Sequence, residues 1–509
     1  MKRALISVFH KQGIEVIAGK LKENNWEILS TGGTAKYLKE HRIDVLEISD
    51  ITKFPEILDG RVKTLHPLVF GPILAKKTPE HLGQLQQFSI PKIDLVIVNF
   101  YPFEEALQTK DRGLDHMVEN IDIGGPSMVR AAAKNFKDTV VIVEQDDYLP
   151  IVEKLLDNGD LPISERKALA QKAFSYTSFY DSLVAGYLHE DMEATPTYFN
   201  AAGRKAMDLR YGENPHQRGT LYIQDQNSPL KHFQILQGKE LSFNNILDFS
   251  MVYEVLNWFP GEGSAPDFSI IVKHQNPCGA ALGETQLLAF NNAFAGDPKS
   301  AFGGIVGFNR TLDRETAEEM KKIFFEVIVA PGYTEEALEV FRKKKNLRLL
   351  QITPGYREKY DIKTIPGGFV VQDRDNSLKD FAEFEAKTSR PLTESEIQDV
   401  RLGWKLIKFV KSNAIILVKN GMLIGVGAGQ MSRVDSVDIA VRKSQFPVEG
   451  AVLVSDAFFP FADSVEIAAQ HQIKVLVEPG GSVRDDEVIA KAQECGISLL
   501  FTGMRHFRH

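Results

Sequence analysis

The stretch Phe268-Ser269-Ile270-Ile271-Val272-Lys273-His274-Gln275-Asn276-Pro277-Cys278-Gly279 is the most informative part of this chain. Its apolar run, 268–272, predicts a buried strand, and Pro277–Gly279 predicts the turn that follows. Lys273 and His274 then stand at the mouth of the strand, where a rigid scaffold can hold reactive groups. The neighbouring ammonium group favours a neutral imidazole that can accept a proton at pH 7. The alternative is a solvated Lys-His pair without a catalytic role.

Apolar and helical segments alternate on both sides of this stretch. The first 150 residues predict strands at 4–9, 27–30, 45–48, 94–99 and 139–143. The second part predicts strands at 414–418, 423–426, 451–455 and 474–477, with helices at 312–326, 393–411, 434–444 and 463–471. This alternation is typical of an α/β fold with parallel sheets. A polar segment at 191–197 places a domain boundary near residue 195, giving domains 1–195 and 196–509.

Composition excludes several classes of protein. The chain has 509 residues, 43% of them apolar, and a net charge of −8, which argues against a general nucleic-acid binder. The N-terminus turns polar too early for a signal peptide, and no apolar run approaches the roughly 20 residues of a membrane span. We therefore expect a cytoplasmic protein that binds neither nucleic acid nor a membrane.

The two cysteines, Cys278 and Cys495, suit neither a disulfide framework nor a cysteine zinc site. Pro277-Cys278 resembles the start of the P-C-x-x-C motif of zinc nucleobase deaminases, but the second cysteine position holds Ala281. We therefore predict no metal.

The first domain carries candidate anion-binding groups at its strand ends. Thr31-Gly32-Gly33-Thr34 follows a strand and opens a helix, which offers free N–H groups to a phosphate. Arg61 and Lys63 stand two residues apart in a segment that we expect to be extended, so both cations would share one face. Plain turn chemistry is the alternative for the two glycines.

Two further strand and helix ends in this domain carry polar groups. Asn99 and Tyr101 end an apolar strand, and Asp122 precedes a helix in which Lys134 lies about two turns on. Helix capping is the alternative for Asp122. In the second part, the glycines of 425–429 lack the acidic partner of a dinucleotide fingerprint, so we expect them to permit close backbone approach to a ligand or a neighbouring strand.

Six motifs together resemble one known family, and they follow its order from end to end. They are Arg61–Pro67, Asn120–Gly125, Leu209–Gln217, Lys273–Gly279, Gly427–Arg433 and Ser455–Phe461. This set is similar to the bifunctional AICAR transformylase/IMP cyclohydrolase family of purine biosynthesis. The resemblance implies an N-terminal methylglyoxal-synthase-like cyclohydrolase domain. It also implies a C-terminal transformylase built from two cytidine-deaminase-like halves without zinc, acting as a homodimer.

The resemblance implies two consecutive reactions on small-molecule substrates. The 5-amino group of AICAR takes the formyl group of the co-substrate 10-formyltetrahydrofolate to give FAICAR, which then cyclises to IMP. No tightly bound cofactor is implied. For the transfer, His274 is the candidate base and Lys273 the candidate stabiliser of developing charge. The substrate-binding residues implied for this site are Arg210, Tyr211, His216, Asn245, Gly303, Glu326, Asn413, Gln430, Arg433, Phe458, Asp463, Ser482, Val483 and Arg505.

For the cyclisation, the resemblance implies that Lys63 polarises the formyl oxygen, Tyr101 orients it, and Asp122 and Lys134 move protons. We expect Asp122 to stay ionised beside the two lysines. The substrate-binding residues implied for this site are Lys11, Thr31, Gly32, Gly33, Thr34, Arg61, Thr64 and Asn99.

This sequence departs from the family pattern at two places. Phe9 stands where a phosphate-binding serine is usual, and Phe70-Gly71-Pro72 replaces a segment with a histidine and two glycines. Both departures lie in the cyclohydrolase. A transformylase whose N-terminal domain is a lapsed or regulatory nucleotide-binding module is therefore the alternative function, and a nucleobase deaminase is a more distant one.

Overall fold

The computed structural model describes residues 1–54, 57–58, 61–190, 192, 194–224 and 228–509 of the chain. These residues form two compact units. The first covers Met1–Arg204 with a short piece at Gln224, and the second covers Lys205–Ile223 and the chain from Ser228 to His509. The linker predicted near residue 195 includes residues 191 and 193, which lie outside the described residues, so the domain bounds 1–195 and 196–509 stay a prediction.

A five-stranded parallel sheet forms the centre of the first unit, as the sequence predicts. The strands lie in the order β3-β2-β1-β4-β5. Their bounds are β1 (Arg3–Ser7), β2 (Glu27–Ser30), β3 (Leu46–Glu47), β4 (Leu95–Val98) and β5 (Val140–Ile142). Successive strands are added outward from β1 on one side and from β4 on the other. The loops after β1 and β4 therefore diverge and leave a crevice, which is where open α/β sheets bind ligands.

Helices connect these strands and pack their apolar faces onto the sheet. They are α1 (Ile14–Glu23), α2 (Gly32–Glu40), α3 (Ile48–Thr52), α4 (Pro67–Leu74), α5 (Pro79–Gln87), α6 (Phe103–Ala106), α7 (Leu114–Glu119), α8 (Gly124–Lys134), α9 (Tyr148–Asp157) and α10 (Ile163–Leu188). Fully buried residues such as Leu5, Val96 and Val152 belong to one common core. No helix among the described residues has both the length and the apolar character that crossing a membrane requires.

A twelve-stranded mixed sheet forms the centre of the second unit. Its order is β16-β21-β20-β19-β17-β18-β10-β9-β11-β12-β13-β8. The bounds are β8 (Gln234–Gln237), β9 (Asp267–Lys273), β10 (Asn276–Gly283), β11 (Ile305–Phe308), β12 (Val327–Ala330), β13 (Arg348–Gln351), β16 (Glu385–Ala386), β17 (Ile415–Lys419), β18 (Met422–Gly427), β19 (Val452–Ser455), β20 (Val475–Glu478) and β21 (Ser498–Phe501). Two separate hairpins are β6 (Arg204–Leu209) with β7 (Gly219–Ile223), and β14 (Tyr360–Ile365) with β15 (Gly368–Asp373).

The twelve strands are two copies of one six-stranded arrangement. Each copy has an antiparallel hairpin, three parallel strands and an antiparallel edge strand, and the copies meet where β10 pairs with β18. The hairpins β9–β10 and β17–β18 correspond, so Lys273 is equivalent to Lys419. The duplication that the family resemblance implies is therefore present in the strand pairing itself.

The helices of the second unit repeat in the same way. They are α11 (Pro229–His232), α12 (Phe243–Leu256), α13 (Gln286–Gly296), α14 (Pro298–Ala301), α15 (Arg314–Met320), α16 (Glu335–Phe341), α17 (Glu394–Ile407), α18 (Arg433–Lys443), α19 (Asp463–Gln470) and α20 (Asp485–Glu494). Helices α12 and α13 of the first half correspond to α17 and α18 of the second. The helix predicted at 312–326 is shorter, because the chain leaves α15 at Met320 and enters β12 at Val327.

One turn is misplaced by the sequence prediction. Pro277–Gly279 is not a turn but part of strand β10, and the turn that reverses the chain is His274-Gln275 itself. Proline is tolerated here because the register of β10 against β9 shifts between Pro277 and Gly279, so the missing N–H falls at an irregularity in the ladder.

Glycines in the two central strands allow helices to approach the sheet closely. A β-carbon added to Gly427 would lie 1.9 Å from the carbonyl oxygen of Ser436 in α18, and one added to Gly425 would lie 2.4 Å from that of Ala440. Gly279 of β10 has the equivalent relation to Ala293 of α13, at 2.0 Å. Close backbone approach is thus present at Gly425 and Gly427, but the neighbour is helix α18 and not the ligand or strand that the sequence predicts, and Gly429 has open space around it.

We predict that Gly427→Ala lowers the free energy of unfolding of the second unit by about 1–3 kcal/mol or more, because the new methyl group must displace helix α18. The matched control is Gly368→Ala in strand β15, where the nearest atom to the added carbon is Ile365 Cγ1 at 3.9 Å. Urea unfolding of both variants measures the difference. Equal stability would contradict the packing described here.

Candidate active sites

The crevice between β1 and β4 brings together the first group of predicted site residues. The N–H of Phe9 donates to Asn99 Oδ1 at 2.6 Å, and the Phe9 ring meets the edge of the Tyr101 ring with centroids 5.9 Å apart. Lys11 extends its amine back to the carbonyl oxygen of Phe9 at 3.0 Å. The loops after β1 and β4 therefore form the two walls of one crevice.

Two lysines converge on the first turn of helix α2. A β-carbon placed on Gly33 would lie 3.7 Å from the Lys11 amine, and one placed on Gly32 would lie 3.6 Å from the Lys63 amine. The absence of side chains at both positions lets the ammonium groups approach the free N–H groups of the helix. A helix N-terminus with two cations is suited to a phosphate.

Two threonines of this turn have structural bonds of their own. Thr34 is buried and exchanges hydrogen bonds with the backbone of Val8 at 2.9 and 3.0 Å. Thr31 bonds the Ser7 hydroxyl at 2.8 Å. The Thr34 side chain therefore fixes α2 to β1, and the ligand-facing groups of this turn are the glycine N–H groups.

Asp122 lies just before α8, beside the Tyr101 backbone. Its carboxylate accepts the N–H of Gly125 at 2.9 Å and that of Tyr101 at 3.3 Å, and its own N–H donates to the Tyr180 hydroxyl at 2.7 Å. Burial raises the pKa of Asp122, although the N–H groups of Gly125, Tyr101 and Gly124 act in the opposite direction. Burial and backbone N–H groups, and not lysines, are the causes of this shift, and the ionised state expected for Asp122 stays a prediction.

Thr64, which follows Lys63, contacts the first turn of α8 close to Asp122. A β-carbon on Gly124 would lie 2.7 Å from Thr64 Oγ1, so the threonine packs directly against the first turn of the helix. Lys63, Tyr101 and Asp122 thus come from three loops that meet around the crevice.

Arg61 and Lys134 are placed differently from the rest. Arg61 forms an ion pair with Glu119, and 61–64 is a bent segment with one bridge from Val62 to Ile57, so the extended conformation predicted there is wrong. Lys134 is exposed at the C-terminal end of α8, about 15 Å along the axis from Gly124. The chain therefore does not bring Lys134 to Asp122. Of the two departures from the family pattern, Phe70-Gly71-Pro72 lies within α4.

In the second unit, His274 occupies an unusual backbone conformation. His274 and Gln275 have φ of 52° and 55°, so both central residues of the hairpin turn are left-handed. Asp248 of α12 accepts the N–H of Gln275 at 2.6 Å and that of His274 at 3.3 Å. Burial raises the pKa of Asp248, opposed by these two N–H groups. The carboxyl group holds the turn and leaves the His274 side chain exposed.

The other half of the duplicated sheet holds its turn in the same way with different residues. Asn420 and Gly421 have φ of 53° and 71°, and Asp399 of α17 accepts their N–H groups at 2.9 and 2.6 Å. Asn-Gly is the pair that such turns favour, whereas left-handed conformations at other residues are costly. The turn His274-Gln275 therefore keeps backbone strain that the equivalent turn, Asn420-Gly421, largely avoids. Backbone strain of this kind is found mainly at functional sites.

Lys273 is less distinctive than its neighbour. Its amine donates to the carbonyl oxygen of Phe302 at 2.5 Å, next to Gly303. The equivalent Lys419 donates to the carbonyl oxygen of Glu449 at 2.6 Å. The bond to the backbone is thus common to both halves, and the difference between them lies in the histidine.

A polar network lies along the same sheet edge as His274. Asn245 donates to Glu326 Oε2 at 2.8 Å, and Glu326 is 3.8 Å from the buried Arg348. Burial lowers the pKa of Arg348, which also responds to the charge of Arg210. The network therefore joins Asn245 and Glu326, two predicted substrate-binding residues, and the charge of a third, Arg210, acts on Arg348. Two of their neighbours, Tyr211 and His216, follow β6, with His216 on an exposed loop.

A second polar group belongs to the other half of the sheet. The buried Arg433 pairs with the fully buried Asp456 and donates to Asn413 Oδ1 at 2.9 Å, while Asn413 donates to the carbonyl oxygen of Gln430 at 3.0 Å. In the first half, the corresponding positions hold the neutral Gln286 and Asn309. Arg433 is therefore a structural centre of this region as well as a predicted binding residue.

The remaining predicted residues follow the carboxyl ends of parallel strands β19, β20 and β21. Phe458 is 36% exposed and Val483 is fully exposed, so both side chains are available to a ligand. The list is completed by Asp463 at the start of α19, Ser482 before α20, and the exposed Arg505. Ligands bind beyond such strand ends in open sheets.

The two groups of the second unit lie on the same edge of the sheet. Three strand spacings separate the His274 turn from the end of β19, which is about 14 Å. The segment with Arg505 returns to that strand end, because the N–H of His506 donates to the carbonyl oxygen of Asp456 at 2.9 Å. Among the described residues, no group of three or more His, Cys, Asp or Glu side chains could hold a metal ion.

Sequence reasoning missed Asp248 and Arg348. Neither belongs to a recognisable motif, because Asp248 lies inside an apolar helix and Arg348 at the start of a strand. Comparison of the two halves provides a signal for Asp248, since Asp399 has the same task in the second copy.

Comparisons with known proteins give one consistent result. The family model of the AICARFT/IMPCHase bienzyme matches residues 132–443, and the model of the MGS-like domain matches residues 13–127. The "Bifunctional purine biosynthesis protein PurH" of Caldicellulosiruptor saccharolyticus is 46% identical over 520 residues, covering 100% of both chains. Proteins of the same name from Thermoanaerobacter sp. (strain X514) and Persephonella marina are 45% and 46% identical over 515 and 525 residues, again covering 100% of each chain.

These matches confirm the resemblance stated from the sequence motifs and the α/β architecture predicted from it. They cover both units, and they do not favour a lapsed N-terminal domain. The chain belongs to the AICARFT/IMPCHase bienzyme family and has its two activities, formyltransferase and cyclohydrolase.

Proposed function

We propose that this chain transfers the formyl group of 10-formyltetrahydrofolate to the 5-amino group of AICAR and then closes the product, FAICAR, to IMP. The observation that carries the proposal is the strained His274 turn, which Asp248 holds at a sheet edge together with Asn245 and Glu326. No tightly bound cofactor or metal is part of the proposal, and we expect the reaction to take place in the cytoplasm.

In the transfer, the amino nitrogen of AICAR attacks the formyl carbon, and the bond from that carbon to the folate nitrogen breaks. This amine is a weak nucleophile because it is conjugated with the ring, so a base must remove its proton. His274 is exposed and takes this role. Lys273 stabilises the charge that develops on the formyl oxygen and supplies a proton to the leaving nitrogen. Arg210, Asn245 and Glu326 would hold the nucleotide beside them.

In the cyclisation, the carboxamide nitrogen attacks the new formyl group and water leaves. Lys63 polarises the formyl oxygen, Tyr101 orients it, and Asp122 moves the proton from the nitrogen. The phosphate would bind at the first turn of α2 with Lys11. Lys134 is proposed from the family resemblance alone, because its place at the far end of α8 gives it no contact with this group.

Two substitutions should separate the two activities. His274→Ala should lower formyl transfer by roughly two to four orders of magnitude, the usual contribution of general acid–base catalysis, and leave cyclisation of FAICAR unchanged. Asp122→Asn should do the reverse. The measurement is the rate of each step, followed spectrophotometrically on the same preparations. Near-normal transfer by His274→Ala would exclude it as the base.

We further propose that the transformylase acts as a homodimer. The support is the family resemblance, which implies sites completed across a homodimer; a two-fold axis would then place His274 of one copy beside Arg505 of the other. Each dimer would then contain two identical sites, each built from both chains.

Mixed dimers test this arrangement. His274→Ala and Arg505→Ala should each be inactive in transfer, while co-expression of the two should restore roughly a quarter of the activity, because half of the random dimers are mixed and each has one intact site. The matched control is His274→Ala co-expressed with His274→Gln, which should restore none. Absence of any restoration in the first mixture would show that each chain forms its own site.

Phe9 gives the next prediction. Its ring cannot bond an anion, and one lost charge-assisted hydrogen bond costs about 1.5–3 kcal/mol, or about one to two decades in affinity. Phe9→Ser should therefore lower the Michaelis constant for FAICAR, with Lys11 and the α2 turn already in place. Steady-state kinetics of cyclisation measures it. An unchanged constant would show that this loop makes no side-chain contact with the phosphate.

A further inference from the structure

Asn276 joins the two halves of the duplicated sheet beside the His274 turn. Its side-chain Nδ2 donates to the carbonyl oxygen of His274 at 3.2 Å, and its Oδ1 accepts the backbone N–H of Lys411 at 3.0 Å. Lys411 lies between α17 and β17, and its own carbonyl oxygen accepts the N–H of Gly429 at 2.7 Å. One side chain therefore connects the turn of the first half to a loop that is fixed beyond the end of β18 in the second half.

The bond to Lys411 determines which way the Asn276 amide faces. An amide has an acceptor on one side and donors on the other, so the reversed amide would set donor against donor at Lys411 and acceptor against acceptor at His274. The backbone of His274 is also held from its other side, because Asp248 accepts its N–H at 3.3 Å. Two side chains from outside the turn thus restrain the residue that presents the imidazole.

The position equivalent to Asn276 in the other half has an apolar residue. Asn276 pairs with Lys273 across the β9–β10 ladder, and Met422 pairs with Lys419 at the same place across β17–β18. The Met422 side chain packs against two clusters of buried apolar residues. The scaffold therefore closes this hairpin without an amide, and hairpin formation does not explain Asn276.

We propose that Asn276 is a positioning residue of the transformylase, which fixes the His274 turn to the second half of the sheet and so places the imidazole for proton transfer. This inference rests on the proposed function, in which His274 is the base. A displacement of about 1 Å at a reacting group can lower a rate about 100-fold, whereas a substrate that other residues hold still binds. The rate of transfer should therefore depend on Asn276, and the binding of AICAR should not.

The test is the variant Asn276→Met, which copies the side chain of Met422. Its kcat and kcat/KM for formyl transfer should fall together by about 10- to 100-fold with an unchanged KM for AICAR, because only the reacting geometry is altered. Cyclisation of FAICAR, which takes place in the other unit, should keep its rate. Transfer at the natural rate, or a loss confined to KM, would overturn the inference.

Asn257 offers a matched control, because it makes the same pair of bonds at another place in the unit. Its Nδ2 donates to the carbonyl oxygen of Tyr356 at 2.8 Å, and its Oδ1 accepts the N–H of Gly355 at 2.8 Å. Asn257→Met should lower the urea midpoint of the unit at least as much as Asn276→Met does and leave kcat for transfer unchanged. Equal losses of kcat in the two variants would show that Asn276 acts only through stability.

Hydrogen exchange measures the link without the reaction. The backbone N–H of Lys411 should exchange faster with deuterium in Asn276→Met than in the natural protein, because it loses its acceptor, and should be unchanged in Asn257→Met. Unchanged exchange in Asn276→Met would contradict the link between the halves. Absence of formyl transfer in the natural protein would contradict the proposed function, whereas a natural rate in Asn276→Met would contradict this inference alone.

Discussion

The bond from the Asp248 carboxylate to two backbone N–H groups is the interaction on which the transformylase site depends. It fixes His274 and Gln275 in left-handed conformations, which cost about 1–3 kcal/mol each when other residues than glycine adopt them. The imidazole is then presented at the edge of a rigid sheet and not on a mobile loop. Helix α12 supplies both this carboxylate and Asn245, so the same element orients the base and joins the polar network beside it.

Duplication explains why only one edge of the twelve-stranded sheet has this arrangement. Two equivalent hairpins are held by equivalent aspartates, and equivalent lysines bond the neighbouring backbone. At the second turn the residues are Asn420 and Gly421, the pair with the least strain. Arg433 and Asp456 also have neutral counterparts in the other half. Each copy of the repeated scaffold has thus gained functional residues at a different place, and at each place the other copy shows what the scaffold requires by itself.

The sequence predicts the strands of both units well, because apolar runs such as 94–99 bounded by polar residues leave little choice of structure. It also places His274 at a strand mouth, although it misplaces the turn, since Pro277 is a stronger turn signal than His-Gln. Asp248 and the surroundings of Asp122 could not be predicted. Asp248 accepts N–H groups 26 and 27 residues away, and Asp122 accepts that of Tyr101, 21 residues away, besides the N–H of Gly125 that helix capping predicts. Residue types do not reveal the distant partners. Lys134 shows the same limit: its spacing from Asp122 is known, but only the helix shows that Lys134 lies about 15 Å along the axis from the start of α8.

The most direct test of this account exchanges the turn itself. The double substitution His274→Asn and Gln275→Gly installs the pair found in the other half, with Asp248 free to hold it as Asp399 holds Asn420 and Gly421. The account predicts a higher urea midpoint for the second unit and a loss of formyl transfer of at least about 100-fold, with cyclisation unchanged. A variant that is no more stable, or that transfers formyl groups at the normal rate, would contradict the claim that the strain is kept for catalysis.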